Sequence, residues 1–398
     1  MTLITTFLLL IFLYALISRR LENRLITAPM AFLGAGVAIG LASTDLLARE
    51  ATFELFLRAA EVGLVLLLFT DASRTNLQVL ARLQSLPIRL LSVGMLLTMA
   101  LGAVVAKLVF PTLGWAEAAI LAAILAPTDA GLGQVIVTSP RVPLRVREAL
   151  NVEAGLNDGL SVPFLLFFIA LAGAEGAGQD APLWRFVLEQ LGYGVVIGAL
   201  IGLVGGGLLG RARRADWINP SLLPLGVIAL PLLGAAVSEF VGTSMFIVAF
   251  VAGLTVQAGF PEAGKHSVDF AEEEGQLLNL SVFFLFGLLV ARDAGSFAPP
   301  YWLHAVLSLT LVRMVPVAIA LIGTRLSRAS VVFMGWFGPR GLASIVLALV
   351  YLKEHAGHPG ETTIKLAVMV TVLLSIVVHG LSGQPGITWY AQAVDRLG

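Results

Sequence analysis

Thirteen runs of mostly apolar residues follow one another along the chain, near 2–18, 28–46, 53–70, 87–107, 115–138, 146–172, 184–209, 219–239, 242–259, 275–291, 300–323, 328–352 and 363–382. A transmembrane helix needs about 20 such residues to cross the hydrocarbon layer. Barrel strands are about half that length and alternate in polarity, which these runs do not. Lipid offers the backbone no hydrogen-bond partners, so each span must satisfy its own. The pattern therefore predicts an all-α polytopic membrane protein. The stretch 219–259 reads either as one long pair or as a hairpin broken at Gly242. Composition agrees: 58% of the 398 residues are hydrophobic and 13% are charged, about half the ~25% charge of soluble domains. That balance excludes a soluble globular enzyme and a disordered chain. The net charge of zero excludes a nucleic-acid binder relying on bulk positive charge. With no cysteine and five histidines, ionic chemistry falls to carboxylates, arginines and neutral oxygens.

Basic residues orient the spans. Arg19, Arg20 and Arg24 follow the first run, the reverse of a cleaved signal peptide. We read an uncleaved first helix with its N-terminus outside. Under that topology the clusters Arg74/Arg82/Arg89, Arg141/Arg145/Arg147, Arg211/Arg213/Arg214 and Arg325/Arg328 all face inside, with Lys265 and Arg396. The outer ends carry scattered Arg49, Arg58, Lys107, Arg185, Arg292, Lys353 and Lys365. The C-terminus is then cytoplasmic, the N-terminus outside, and the membrane a bacterial inner membrane. The polar loops leave no room for a soluble domain, and no Walker A motif marks an ATP-driven motor.

Charged side chains within spans are costly and are functional candidates by default. They are Asp71, Asp129, Glu153, Asp158, Arg313 and Arg340. Glu61 follows Arg58 by three residues and reads as a helix-surface ion pair; Glu239 reads as interfacial. The sequence Ala126-Pro-Thr-Asp-Ala-Gly-Leu-Gly133 sits in mid-span. Proline removes a helix hydrogen bond, and the two glycines weaken the turn after it. A helix broken there leaves N–H and C=O groups that are tolerated around a cavity, where they can serve an ion. Asp129 is placed to balance the positive half-helix N-terminus. Trp336-Phe-Gly-Pro-Arg-Gly341 has the same ingredients with the opposite charge, so Arg340 is read as compensating a second break. An anionic break in span 5 and a cationic one in span 12 predict inverted repeats with two discontinuous helices.

Span 6 carries Asn151-Val-Glu-Ala-Gly-Leu-Asn-Asp-Gly159. Glu153 and Asn157 share a face, and Asp158 lies about 100° further round. Two carboxylates in one apolar helix repel, so one needs a cationic partner or a proton. Arg313 is the first candidate partner for Glu153 and Arg340 the second. Asp158 is then left for exchange.

At Pro127-Thr-Asp129, Glu153-Ala-Gly-Leu-Asn-Asp-Gly159, Arg313 and Phe337-Gly-Pro-Arg-Gly341, with Asp71 closing span 3, the chain resembles the monovalent cation/proton antiporter family CPA1, NhaP-like branch, over nearly its whole length. The resemblance implies the sodium/proton antiporter fold, a homodimer, and a moving core of helices about 53–172 and 275–352, the remaining helices forming the scaffold. It implies that Asp158 binds cation and proton in turn. Asp158, Asp129 and Thr128 would ligate the cation with help from Asp71 and Asn157, and Glu153 with Arg313 would brace the site. The family often has serine where Ala154 stands, so a backbone carbonyl or water would replace that hydroxyl. The proline frequent after Thr-Asp is Ala130. The implied activity is secondary exchange of Na+ (or Li+) for H+, with no cofactor, no enzymatic chemistry and no partner beyond ions, membrane lipids and a second copy. Carrying a bare carboxylate through lipid is unfavourable, whereas its protonated or cation-bound form is neutral. Asn157 adds no second proton. The expectation is electroneutral 1:1 exchange by alternating access.

The alternatives are a K+/H+ antiporter with the same machinery, a cation channel and an intramembrane serine protease. The last rests on Gly380-Leu-Ser-Gly383 beside His379, although neighbours in sequence on a helix do not thereby form a nucleophile–base pair. Gly194, Gly198, Gly202, Gly206 and Gly210 form a ridge expected to pack closely against another helix. Within it Gly205-Gly-Gly-Leu-Leu-Gly210 follows no strand and is no dinucleotide site. The acidic loop 262–274 holds His266, which reads as solvated polar surface or as a cytoplasmic pH sensor.

Overall fold

A computed structural model describes residues 2–22, 26–42, 50–75, 86–177, 188–264, 276–354 and 360–395. His266 with most of its acidic loop, and Arg24, Arg49, Arg82, Arg185, Lys265 and Arg396, lie outside the described residues. Among those described the ordered elements are helices. Eight are long and apolar enough to cross a membrane, and shorter apolar helices cover Ala28–Ala42, Trp115–Ile124, Met245–Val256 and Leu342–Lys353. The chain is an integral, multi-pass membrane protein.

It divides into two compact units. The first comprises residues 1–60, 86–154 and 278–398; the second comprises 61–85 and 155–277. The helix Leu144–Ala177 runs through the boundary.

In the second unit, the glycine ridge of the helix Tyr193–Arg214 is buried against Met245–Val256. A Cβ at Gly198 would stand 2.6 Å from the Val248 carbonyl oxygen, and one at Gly206 would overlap that of Val256. With no side chains on the glycine face, the backbone lies directly against Met245–Val256, the packing expected of small residues at fourfold spacing. The 219–259 stretch is a hairpin. Leu223–Val241 ends where Gly242 adopts φ 77°, and the N–H groups of Gly242 and Thr243 both donate to Ser238 O at 2.9 Å. Glycine takes this left-handed position without steric cost.

The first unit holds both interrupted spans. Span 5 separates into Trp115–Ile124 and Ala130–Val137, and span 12 into Arg328–Trp336 and Leu342–Glu354. Two features go beyond the apolar pattern. The run 300–323 is divided at Thr310 into Pro299–Leu309 and Leu311–Ala320. The last helix continues to Asp395, past the apolar limit near 382, because Ile387 and Tyr390 are buried in a core with Val317, Phe333 and Phe337. Tyr390 stacks on Phe333 with centroids 4.2 Å apart and shares a 2.8 Å hydrogen bond with Ser330. Hydropathy marks where lipid ends, not where a helix ends.

Candidate functional site

The two breaks of the first unit meet. Beyond Ile124 the chain leaves the helix through Ala126, Pro127 and Thr128 and re-enters it at Ala130. Asp129 caps the new helix, its Oδ1 accepting from Leu132 N at 2.9 Å. Its Oδ2 accepts from Leu342 N at 2.7 Å, the first residue of Leu342–Glu354. One carboxylate thus serves the positive ends of two helices. The Asp129 N–H donates to Pro339 O at 2.8 Å. Gly341 permits this approach, since a Cβ there would lie 2.7 Å from the Asp129 carboxyl carbon.

Arg340 is wholly buried. Its Nη1 donates to the Ala126 and Pro127 carbonyls, the negative end left by the first break. Its Nε and Nη2 have no hydrogen-bond partner among the described residues. Glu153 pairs with Arg313 through both carboxylate oxygens, at 2.5 and 3.0 Å, with both side chains buried. The fork geometry suits arginine. Gly338 makes room for it, since a Cβ there would stand 2.8 Å from the Arg313 Cζ.

Thr128, Asp129 and Ala154 line one cavity of about 20 Å³, with Ala130, Asn151 and Pro339 also on its wall. That holds about one water-sized body. The Ala154 methyl offers it no ligand. Asn151, an exposed residue, is a further polar member of the cavity wall. It stands one helical turn before Ala154, a spacing that marks a shared face, yet as a neutral residue it does not stand out beside the charged ones. The other predicted site residues belong to the second unit. Asn157 and Asp158 are buried on Leu144–Ala177. Asp71, on Glu50–Arg74, approaches the same helix, its Cβ 3.4 Å from where a Gly155 Cβ would be. A Gly159 Cβ would overlap the Phe250 ring. Glu61, expected on the helix surface, is buried.

Paired, charge-compensated breaks within apolar spans are the arrangement by which secondary transporters hold ions in mid-membrane. The family described as sodium/hydrogen exchanger, transmembrane, matches residues 6–389, and the chain belongs to that family. It is 27% identical over 317 residues to a Na(+)/H(+) antiporter of Schizosaccharomyces pombe, covering 70% of this chain and 66% of that protein. It is 26% identical over 340 residues to the K(+)/H(+) antiporter NhaP of Alkalimonas amylolytica, covering 84% and 58%. The chain spans only 66%, 40% and 38% of the lengths of three such relatives. The solved structure of the sodium proton antiporter MjNhaP1 from Methanocaldococcus jannaschii superposes with a TM-score of 0.80 at 20% identity, covering 98% of each chain. The two share the sodium/proton antiporter fold.

Proposed function

We propose that the protein exchanges a monovalent cation, Na+ or Li+, for H+ across a bacterial inner membrane. The observation that carries this is the pair of broken helices whose exposed ends are balanced by Asp129 and Arg340 beside a one-water cavity lined by Thr128, Asp129 and Ala154. Broken helices of this kind supply oxygen ligands in mid-membrane without leaving backbone charge uncompensated. Asp158 is the exchanging carboxylate, with Asp129 and Thr128 as cation ligands and Asp71 and Asn157 in support. Ala154 leaves its place to a carbonyl or water. The Glu153–Arg313 pair holds the helix that carries Asp158. Only the proton-bound or cation-bound carboxyl crosses, which couples one cation to one proton and makes the exchange electroneutral.

In this reading the helices at 53–172 and 275–352 form the moving core and the others a scaffold that joins two copies. The N-terminus is outside, the C-terminus cytoplasmic, and the arginine clusters meet lipid headgroups. A K+/H+ antiporter is the second reading, since NhaP of Alkalimonas amylolytica carries that name. The test is exchange in liposomes with a preset pH gradient and the voltage clamped at zero. Sodium added to wild type should collapse the gradient, and Asp158→Asn should abolish the response. Collapse by potassium alone selects the second reading. No response of folded protein to sodium, lithium or potassium refutes both.

A further inference from the structure

The second break is held from one side by the helix Glu361–Asp395. Ser375 Oγ accepts the Arg340 backbone N–H at 2.6 Å. His379 Nε2 stands 3.0 Å from the Trp336 carbonyl oxygen. Its Nδ1 lies 3.2 Å from Ser375 Oγ and 3.0 Å from Ser375 O. Ser382 Oγ accepts from the Trp336 indole N–H at 3.0 Å. Ser375, His379 and Arg340 are all buried. His379 and Ser382, the pair with the look of a nucleophile and base, are each occupied with Trp336 instead.

The tautomer of His379 decides which of its nitrogens donates. A carbonyl only accepts, and His379 faces one at each nitrogen, so the tautomer with its hydrogen on Nε2 donates to Trp336 O and the one with it on Nδ1 donates to Ser375 O. Ser375 Oγ already accepts from Arg340 and still has its own hydrogen to give. In the Nε2–H tautomer the imidazole takes it at Nδ1. In that tautomer one continuous chain runs from Arg340 N–H through the Ser375 hydroxyl and the His379 ring to Trp336 O, and in either tautomer the ring touches both Ser375 and Trp336. The chain of bonds begins and ends on the break, joining the group that closes it to a carbonyl that opens it. These are backbone groups that a helix would otherwise satisfy. The same Arg340 reaches the Ala126 and Pro127 carbonyls, and two residues on, Leu342 N reaches Asp129. A shift of the Arg340 backbone is thus passed to the Asp129 carboxylate and the cavity it lines.

We infer that His379, acting with Ser375, is a positioning residue that fixes the second break and through it the geometry of the cation site. The inference rests on the exchange proposed above. Its test measures initial exchange rates against sodium concentration in liposomes. Losing a hydrogen bond of this kind in His379→Leu should raise the apparent KM for sodium about tenfold. His379→Gln, which keeps an N–H donor and a carbonyl acceptor, should return it to within about twofold. A residue that merely helped folding would lower the yield of active protein and leave KM unchanged. Where His379→Leu does not fold, Ser375→Ala carries the same expectation. A second readout needs no transport: the 19F resonance of 5-fluorotryptophan at position 336, assigned by its loss in Trp336→Phe. It should move in His379→Leu and return toward wild type in His379→Gln. An unmoved resonance overturns the brace itself. An unchanged KM in both His379→Leu and Ser375→Ala, with wild type active, overturns its role in exchange. If wild type exchanges no cation, the antiport reading and the positioning role fall together, and the resonance still decides whether the brace exists.

Discussion

The two helix breaks are made of the same parts and do different work. Each has a proline, nearby glycine and one charged side chain. Asp129 serves its own break and the other, capping Ala130–Val137 and receiving the N–H that opens Leu342–Glu354. Through its side chain Arg340 serves the other break, donating to the Ala126 and Pro127 carbonyls. The anionic break is therefore completed by the cationic one, whereas the cationic break leans on Asp129 from one side and on the Ser375–His379 pair from another. The lesson is that neither is a simple proline kink. The two form one object, and damage to either charge should be felt at both. The Glu153–Arg313 pair is the contrasting case, because its partners neutralise each other directly.

That contrast can be broken most forcefully at Arg313. Arg313→Ala strands the buried Glu153 carboxylate and should cost about 3–5 kcal/mol of stability, read as a lower midpoint of denaturation in detergent. Adding Glu153→Ala should restore part of the loss; a double variant no better than Arg313→Ala alone would show that the pair is not self-contained. Next is Arg340→Ala, which leaves two buried carbonyls unmet and should cost about 2–3 kcal/mol. Arg340→Lys should recover only part of it, since a lysine ammonium keeps the charge but lacks the planar fork. Asp129→Asn keeps an acceptor but loses the charge facing two helix ends, and should cost about 1 kcal/mol. A larger cost for Asp129→Asn than for Arg340→Ala would reverse the asymmetry between the two breaks. Two glycines differ, Gly133 giving the smallest effect of all. Gly341→Ala drives a methyl into the Asp129 carboxylate and should impair exchange. Gly133→Ala meets nothing within 4 Å and should stabilise by about 0.5–1 kcal/mol through helix propensity.

Much of this arrangement is legible in the chain itself. Apolar runs mark the spans because lipid admits little else. Pro127 and Pro339 mark the breaks because each lacks an N–H. Asp129 and Arg340 stand out because charge within a span needs a reason. The chain alone leaves both Arg313 and Arg340 open as partners of Glu153, since hydropathy does not say which helices are neighbours. The brace was hidden for the same reason. Ser375 and His379 lie 35 and 43 residues from the groups they hold, and each reads locally as an ordinary polar residue. The division at Thr310 has no proline at the point of interruption and left no mark. Asn151 does not stand out, being a neutral amide beside a glutamate and an aspartate.

The separation of the breaks also bears on how the protein is made. Pro127 and Arg340 are 213 residues apart. At ordinary synthesis rates the ribosome needs about ten to forty seconds to cover that distance. Throughout that interval the carbonyls of Ala126 and Pro127 exist without the guanidinium that will satisfy them, and hydrocarbon would penalise them by several kcal/mol. The fifth span therefore cannot settle into bulk lipid when it is born. It has to wait in a wet or protein-lined shelter, such as the insertion machinery, until the twelfth arrives. A chain stopped short of Arg340 should be held there and degraded rather than released as a stable fragment.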